Sequence, residues 1–472
     1  MSEFFISGEE KERSGIYKRY ENNGNSNPAG AEAGIALALV TGTWGPLNTP
    51  VEIDTVSAIS TAIGTGTGAN VLTELFNAGV QTVKVCRVGN GGAAGSLVLK
   101  DDAKADMVTL TAKCPGSRAL SVSVKPSLYD DTIREIDIYD GTTLLETYKI
   151  SIDKKEADGL VKAMASSAYL VATKTADGSG ALATITQAPL DGGTDPTVDA
   201  KAYSAAANAC ENERFNMLVT DSEDTAVHST LQAFVDRMYQ DGDYPMAIFG
   251  VKSSKAYDDR IKTSMSFNDE KIHYLFDAWK DASGTNYEGY LGAARVGGMI
   301  CAGASNVSLT NTSIKGAVEL SENLTNSQII KALRAGAILI TKNKNGNIVI
   351  EKGINTLTNP SAEQDEGWKK IRRVKERFEL FDRVDRTLEP MRAKLDNSDD
   401  GRAAVIAAIY QVIDAMVGEK KLDSGAQVVV DPAHPPKGDS AWFNIQTDDL
   451  DSLERMYLTY KFRFSKPATT EE

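Results

Sequence analysis

The chain opens on polar sequence. Residues 1–27 hold no core-forming pattern beyond "GIYKRYEN" (Gly15–Asn22), where Ile16, Tyr17 and Tyr20 give strand propensity without company. Asn22–Gly30, rich in Asn, Gly and Ser with a Pro, reads as a flexible linker. The first sustained apolar run lies in "GIALALVTGTWGPLNTPVEI" (Gly34–Ile53), a short buried strand ending in a glycine-bracketed turn, Gly42-Thr-Trp-Gly45-Pro46. Asn70–Val80 places Val71, Leu72, Leu75, Phe76 and Val80 at helical spacing, with Gly79 set to stop the helix. Thr82–Val88 then reads as a strand. Strand, turn, helix, strand is one α/β unit.

The period changes at Gly89-Asn-Gly-Gly92. Up to about Gly192 the chain shows short alternating segments, "SLVLK", "MVTLTAK", "ALSVSVKPS", "EIDIYDG", "LLETYKISI" and "ATITQAPL", separated by turn residues. That pattern predicts a small β-sandwich or barrel. Helix–strand alternation returns after Val198. Ala200–Ala209 and Ser229–Gln240 are predicted helices; "NMLVT", "PMAIFGV" and a hairpin within Gly336–Gly353, turning at Asn345-Gly346, are predicted strands.

The last region starts near Gly353. Val374, Phe378, Phe381, Val384, Leu388, Met391 and Leu395 recur at steps of three and four, giving an amphipathic helix over Trp368–Leu395, interrupted at Pro390. A second helix, Gly401–Val417, follows the capping sequence Asn397-Ser-Asp-Asp400. After "AQVVVD" and a Pro-rich bend, "RMYLTYKFRF" (Arg455–Phe464) alternates Leu458, Tyr460, Phe462 and Phe464 with Thr459, Lys461 and Arg463, the period of a strand.

These patterns divide the chain into an N-terminal arm and linker (1–27), a mixed α/β core (28–90 plus 200–352), an inserted β-sandwich (91–199), a C-terminal α+β domain (353–454) and a terminal arm strand (455–472). A domain inserted at an exposed loop costs its host core little. The length of 472 residues agrees with roughly three domains at about 150 residues each.

Composition narrows the function. A net charge of −14 argues against a nucleic-acid coat, which needs a basic surface. Cys86, Cys114, Cys210 and Cys301 lie far apart with no CxxC pair, so they read as reduced apolar side chains rather than a zinc site or disulfide framework. The opening residues lack a secretory pattern, and the apolar runs Ile35–Val40 and Ala403–Tyr410 are short of a membrane span; the expectation is a protein folded in a cytoplasm, with no membrane partner.

Candidate chemistry is sparse. Gly42-x-x-Gly45-Pro46 lacks the Lys-Ser or Lys-Thr of a phosphate loop, and Pro46 begins an extended segment where such a loop needs a helix N-terminus. "GTGTGAN" (Gly64–Asn70) does precede a helix but has the wrong glycine spacing. His228, His273 and His434 lie away from any nucleophile motif, and no HxxxH occurs. No catalytic, cofactor or metal residue is assigned. An α/β enzyme on the core, hydrolase or nucleotide-dependent, stays as the alternative reading.

One charge feature stands out. Lys369, Lys370, Arg372, Arg373, Lys375 and Arg377 crowd into nine positions of an acidic chain. They suit a solvated helix face or contact with an acidic partner. Strand-like segments at both ends are the other feature. A strand needs partners for its backbone N–H and C=O groups. The two ends either complete a sheet in their own subunit or add to the sheet edge of another molecule. In the second case the head-to-tail contact builds a helical filament.

Taken in order, "SGIYKRYEN", "GIALALVTGTWGPLNTPVEI", "GNIVIEKGINTLT" (Gly346–Thr358), "WKKIRRVK", "NSDDGRAAVIAAI" and "ERMYLTYKFRF" resemble the tail sheath proteins of contractile phages. The type is that of phages, defective prophages and phage-tail-like bacteriocins of Gram-positive bacteria. The resemblance covers nearly the whole chain; one departure is Ser14-Gly15 where the family would have Pro-Gly. It implies a non-enzymatic structural subunit with a subtilisin-like α/β core lacking catalytic residues, an inserted β-sandwich and a tube-facing C-terminal domain. It implies hexameric rings stacked helically around an inner tube with an acidic outer surface, alongside baseplate and tail terminator proteins. No cofactor and no direct nucleic-acid contact are implied. Assembly is expected in the bacterial cytoplasm, giving a virion tail or a released phage-tail-like particle. Ile16, Tyr17 and Tyr20 then lie on one strand-exchanging arm, and Leu458, Tyr460 and Phe462 on the other. Lys369, Lys370, Arg372, Arg373, Lys375 and Arg377 become candidates for gripping the tube.

Overall fold

A computed structural model describes residues 2–4, 16–18, 34–153 and 155–463. The chain divides into two units, Ala33–Phe378 with Asp449–Glu472, and Met1–Glu32 with Glu379–Asp448. Residues 353–378, expected with the C-terminal domain, thus belong with the core.

Almost uninterrupted apolar runs, Ile35–Val40, Met217–Thr220, Met246–Gly250 and Ile272–Leu275, form the centre of the first unit. Runs without polar alternation suit strands covered on both faces, which is the condition of a parallel sheet. They line up with Thr82–Arg87 in parallel, and Pro50–Ile53 closes one edge antiparallel. Counted along the chain, the five parallel strands stand in the order 2-1-3-4-5, a doubly wound sheet that reverses direction between Ile35–Val40 and Met217–Thr220.

On one face Leu37, Leu39, Leu218 and Phe249 pack with Ala202 and Tyr203 of helix Ala200–Ala209 and with Leu231 and Phe234 of helix Thr225–Gln240. On the other face lies helix Gly289–Ala302, in which ten residues are buried. A Cβ on Gly297 would stand 2.5 Å from Ile248 Cγ2, and one on Gly298 2.6 Å from the Ala78 Cβ, so the small residues are what let this helix reach both sheet and neighbouring helix. Its sequence shows no polar stripe, because nearly every side is covered; the periodicity therefore did not reveal it.

The predicted β-insert is a two-layer structure. One sheet has the order Thr143–Ser151, Ile133–Asp140, Leu120–Pro126, Ile185–Pro189; the other has Leu170–Lys174, Asp106–Ala112, Ser96–Lys100. Val122, Val124, Ile136, Ile138, Met107 and Leu110 meet between them. Helix Glu156–Ala163 was not foreseen; Leu160 joins this core, and the buried Glu156 receives Arg134 Nε at 2.9 Å and the Leu182 amide at 2.6 Å.

In the second unit, Leu380 and Val384 pack against Ile409, Val412, Ile413 and Met416 of helix Asp399–Gly418. Ser398 caps that helix by accepting the Gly401 amide. By length and composition it could cross a membrane, which the shorter run read in the sequence did not suggest. Its apolar stripe, however, is the unit's own core. An antiparallel hairpin, Gln427–Val430 with Phe443–Gln446, completes the unit's described C-terminal part. Ser2–Phe4 pairs parallel with Ile16–Lys18, so the first arm strand has a partner within its own chain; Tyr20 lies outside the described residues.

Candidate functional site

A doubly wound sheet offers a ligand site at the carboxyl ends of its strands, where the order reverses. Here that place is filled by the protein. Asp221, just past Met217–Thr220, accepts at Oδ2 the Thr41 amide (3.0 Å), the Thr41 hydroxyl (2.5 Å) and the Thr67 hydroxyl (2.6 Å), and at Oδ1 the Tyr203 hydroxyl (2.8 Å). Thr67 opens helix Thr67–Asn77, so the Asp221 carboxylate lies at the start of that helix, held through the Thr67 hydroxyl. Burial, with the Asp221 charge, pushes the Tyr203 hydroxyl far above its ordinary range.

The glycine-bracketed turn is also occupied. Arg87, at the end of its core strand, donates from Nε to the Gly42 carbonyl (2.8 Å) and from Nη1 to those of Gly45 (2.9 Å) and Pro115 (2.6 Å). Trp44 is buried in the sandwich core, with the Arg118 guanidinium 5.3 Å from its ring centre. The turn is a joint between core and insert.

The histidines lack a catalytic setting. His228 stacks on Phe249 and uses Nε2 on the Ser222 carbonyl, with burial pulling its pKa down to about 4. His273 is fully buried, and burial pulls it down to about 3. His434 pairs with Asp431 in the Pro-rich bend.

Each predicted tube-contact cation has a partner in the chain. Lys369 pairs with Glu366 (3.0 Å), Arg372 with Glu376 (3.1 Å), and Lys370 with Asp451 (2.6 Å) and Glu454 (3.2 Å). Arg373 grips Asp449 with two nitrogens at 2.7 and 2.5 Å. Arg377 reaches Asp449 and Asp365, each at 3.1 Å, and lies over the Trp368 ring. Lys375 donates to the Ile300 and Gly303 carbonyls at the end of helix Gly289–Ala302. The crowding of positive charge was legible in the sequence; its distant partners Asp449 and Asp451, 72 to 81 residues further on, were not.

The predicted terminal strand is not formed: residues 455–463 have no strand pairing. Among the described residues no strand lies alongside to take up its backbone N–H and C=O groups. The alternation nevertheless persists in the side chains. Tyr460 and Phe462 stand with ring centres 6.2 Å apart and planes 13° from parallel. Leu458, Tyr460 and Phe462 are 73%, 72% and 91% exposed. In the second unit, the two-stranded hairpin likewise leaves Val429, Trp442 and Ile445 exposed.

Comparison with known proteins identifies the family. The family model of the phage tail sheath protein β-sandwich domain matches residues 77–195, and that of the phage tail sheath protein central domain matches residues 197–356. Together they span more than half the chain. It belongs to the phage tail sheath family. Two Bacillus subtilis (strain 168) proteins are similar: YqbK, 24% identical over 383 residues (79% of this chain and 78% of that protein), and the phage-like element PBSX protein XkdK, 24% identical over 389 residues with the same coverage. Among solved structures, a sheath tail protein from Desulfitobacterium hafniense has the same fold, with TM-score 0.71 and 19% identity, covering 92% of this chain and all of that one. A sheath tail protein from Listeria innocua gives 0.67 and 18%, covering 90% and 97%. The contracted sheath of an extracellular contractile injection system gives 0.55 and 10%, covering 97% and 99%.

Proposed function

We propose that this sheath protein is the subunit of a contractile tail: it stacks as hexameric rings around an inner tube and contracts to drive the tube through a cell envelope. The observation that carries the reading is the tail 455–463, whose alternate apolar side chains are exposed with no strand partner among the described residues. The hairpin packs Val428 into the core of its unit but is a sheet of two strands only, with exposed Val429 and Ile445 and open edges. Gln427–Val430 with Phe443–Gln446 is therefore the acceptor proposed for the arm of a neighbouring copy, by strand addition. The core is read as subtilisin-like and stripped of catalytic residues, with Asp221 closing the crevice.

The extended polymer is a kinetically trapped state, and contraction moves rigid subunits into tighter packing while the arms keep them joined. New inter-subunit surface supplies the energy. The particle is a virion tail or a phage-tail-like body, completed by baseplate and terminator proteins. The tube contact at Lys369, Lys370, Arg372, Arg373, Lys375 and Arg377 stays a proposal with changed content: an acidic tube has to compete with the in-chain partner of each.

Electron microscopy tests the reading. The full chain should give tubes, rings or polysheaths; chains lacking residues 455–472, or residues 1–22, should give folded subunits that form no mesh. Ordered sheaths from the truncated chains would sink the strand exchange.

A further inference from the structure

Of the basic segment, Arg373 and Arg377 stand four residues apart on one side of helix Ile371–Leu388, and Lys370 lies in extended backbone just before its first turn. Three carboxylates of the segment leading into the C-terminal arm meet them. Asp449 is held by Arg373 and Arg377, Asp451 by Lys370, and Glu454 by Lys370 and the Thr310 hydroxyl (2.9 Å). Asp449 and Glu454 are largely covered, at 8% and 13% side-chain exposure, whereas Tyr457, three residues further, is 87% exposed. The transition from fixed to free chain thus falls at Glu454–Arg455.

We infer that Lys370, Arg373 and Arg377 moor the C-terminal arm: they fasten its root, Asp449–Glu454, to the core unit, so that tension on the arm enters that unit directly. The inference rests on the arm reading above and assigns the basic segment a task inside the subunit. The chain leaves the core unit after Phe378, folds Glu379–Asp448, and rejoins the core unit at Asp449. Without the mooring, a pull on the arm would pass back along the chain into the hairpin strand Phe443–Gln446, a mostly exposed strand held by one partner strand. With it, the pull meets a forked arginine–carboxylate pair, a strong and directional contact. Burial opposes ionisation of Asp449, yet the Arg373 hydrogen bond and the charges of Arg377 and Arg373 hold its carboxyl below the usual range. The contact is therefore an ion pair at neutral pH.

The test uses isolated full-length subunits without tubes. A glutamate-specific protease cuts after Glu454, and mass spectrometry follows release of the peptides 455–471 and 455–472 together. Asp449→Asn and Arg373→Gln should each speed release by about tenfold or more, the loss expected when a hydrogen bond to a charged group is severed. The double variant should be no faster than the faster single one, because both cut the same link. Unchanged release in folded single variants overturns the mooring. Should Arg373→Gln fail to fold, Asp451→Asn removes the more exposed partner of Lys370 and gives the same reading. Sheath assembly is scored separately. A freed tail with normal sheaths sinks the arm reading and leaves the mooring. Unchanged release with sheaths lost on truncation does the reverse.

Discussion

The Arg87 guanidinium, at the end of a core strand, lies 2.6 Å from the carbonyl oxygen of Pro115 in the inserted sandwich. The same side chain satisfies the carbonyls of Gly42 and Gly45, and its exposure is 1%. One buried cation thus ties the first turn of the core to the insert, with Asp195 of the return linker 3.8 Å away. Arg87→Ala leaves three carbonyls without this donor. It should cost about 2–5 kcal/mol in denaturant unfolding, at 1–3 kcal/mol per buried group left unpaired less what water recovers. Arg87→Lys should recover little, because a single ammonium cannot reproduce the fork. Full recovery by Lys would show that charge alone matters.

Gly45 is the tightest point of that turn. Its φ is +101°, and a Cβ there would stand 2.1 Å from the Ala62 carbonyl oxygen. Gly45→Ala should destabilise by more than about 1 kcal/mol, since both conformation and space are refused. A thermal midpoint equal to that of the natural chain would contradict this geometry.

Glu376 has no exposed surface; Arg372 reaches one carboxylate oxygen, and the other has no hydrogen-bond partner. Burial pushes its pKa up to about 7, against the pull of the Arg372 hydrogen bond. A carboxyl raised on folding costs stability once ionised. The cost is absent below its ordinary value of 4.5, grows as pH rises, and is complete above about 7. Glu376→Gln should therefore gain about 1–3 kcal/mol at pH 8, at 1.36 kcal/mol per pKa unit, and nothing at pH 4. Unfolding curves at the two pH values check it; equal gains at both would refute the ionisation account.

Leu458, Tyr460 and Phe462 make opposite demands on subunit and polymer. Replacing all three by Ser should change subunit stability by less than about 0.5 kcal/mol per site, as for exposed positions generally. The same variant should form no ordered polymer. A marked fall in subunit melting temperature would mean that the tail packs on its own chain.

Much of the architecture could be read directly. Continuous apolar runs in 35–40, 217–220 and 246–250 read as strands, because such a run is local; that they pair in parallel emerged only in the folded sheet. Alternation between Ser96 and Pro189 announced the sandwich in the same way. Helix Gly289–Ala302 escaped because a helix covered on nearly all sides has no stripe to detect. The cluster of positive charge at 369–377 was visible, but not the fact that Asp449, Asp451 and Glu454 neutralise much of it. Hydrophobic periodicity is a property of neighbouring residues and survives in one dimension. The partner of Arg87, of Asp221 or of Arg373 is chosen by chain closure over tens to hundreds of residues, and only the folded chain brings those groups within hydrogen-bonding distance.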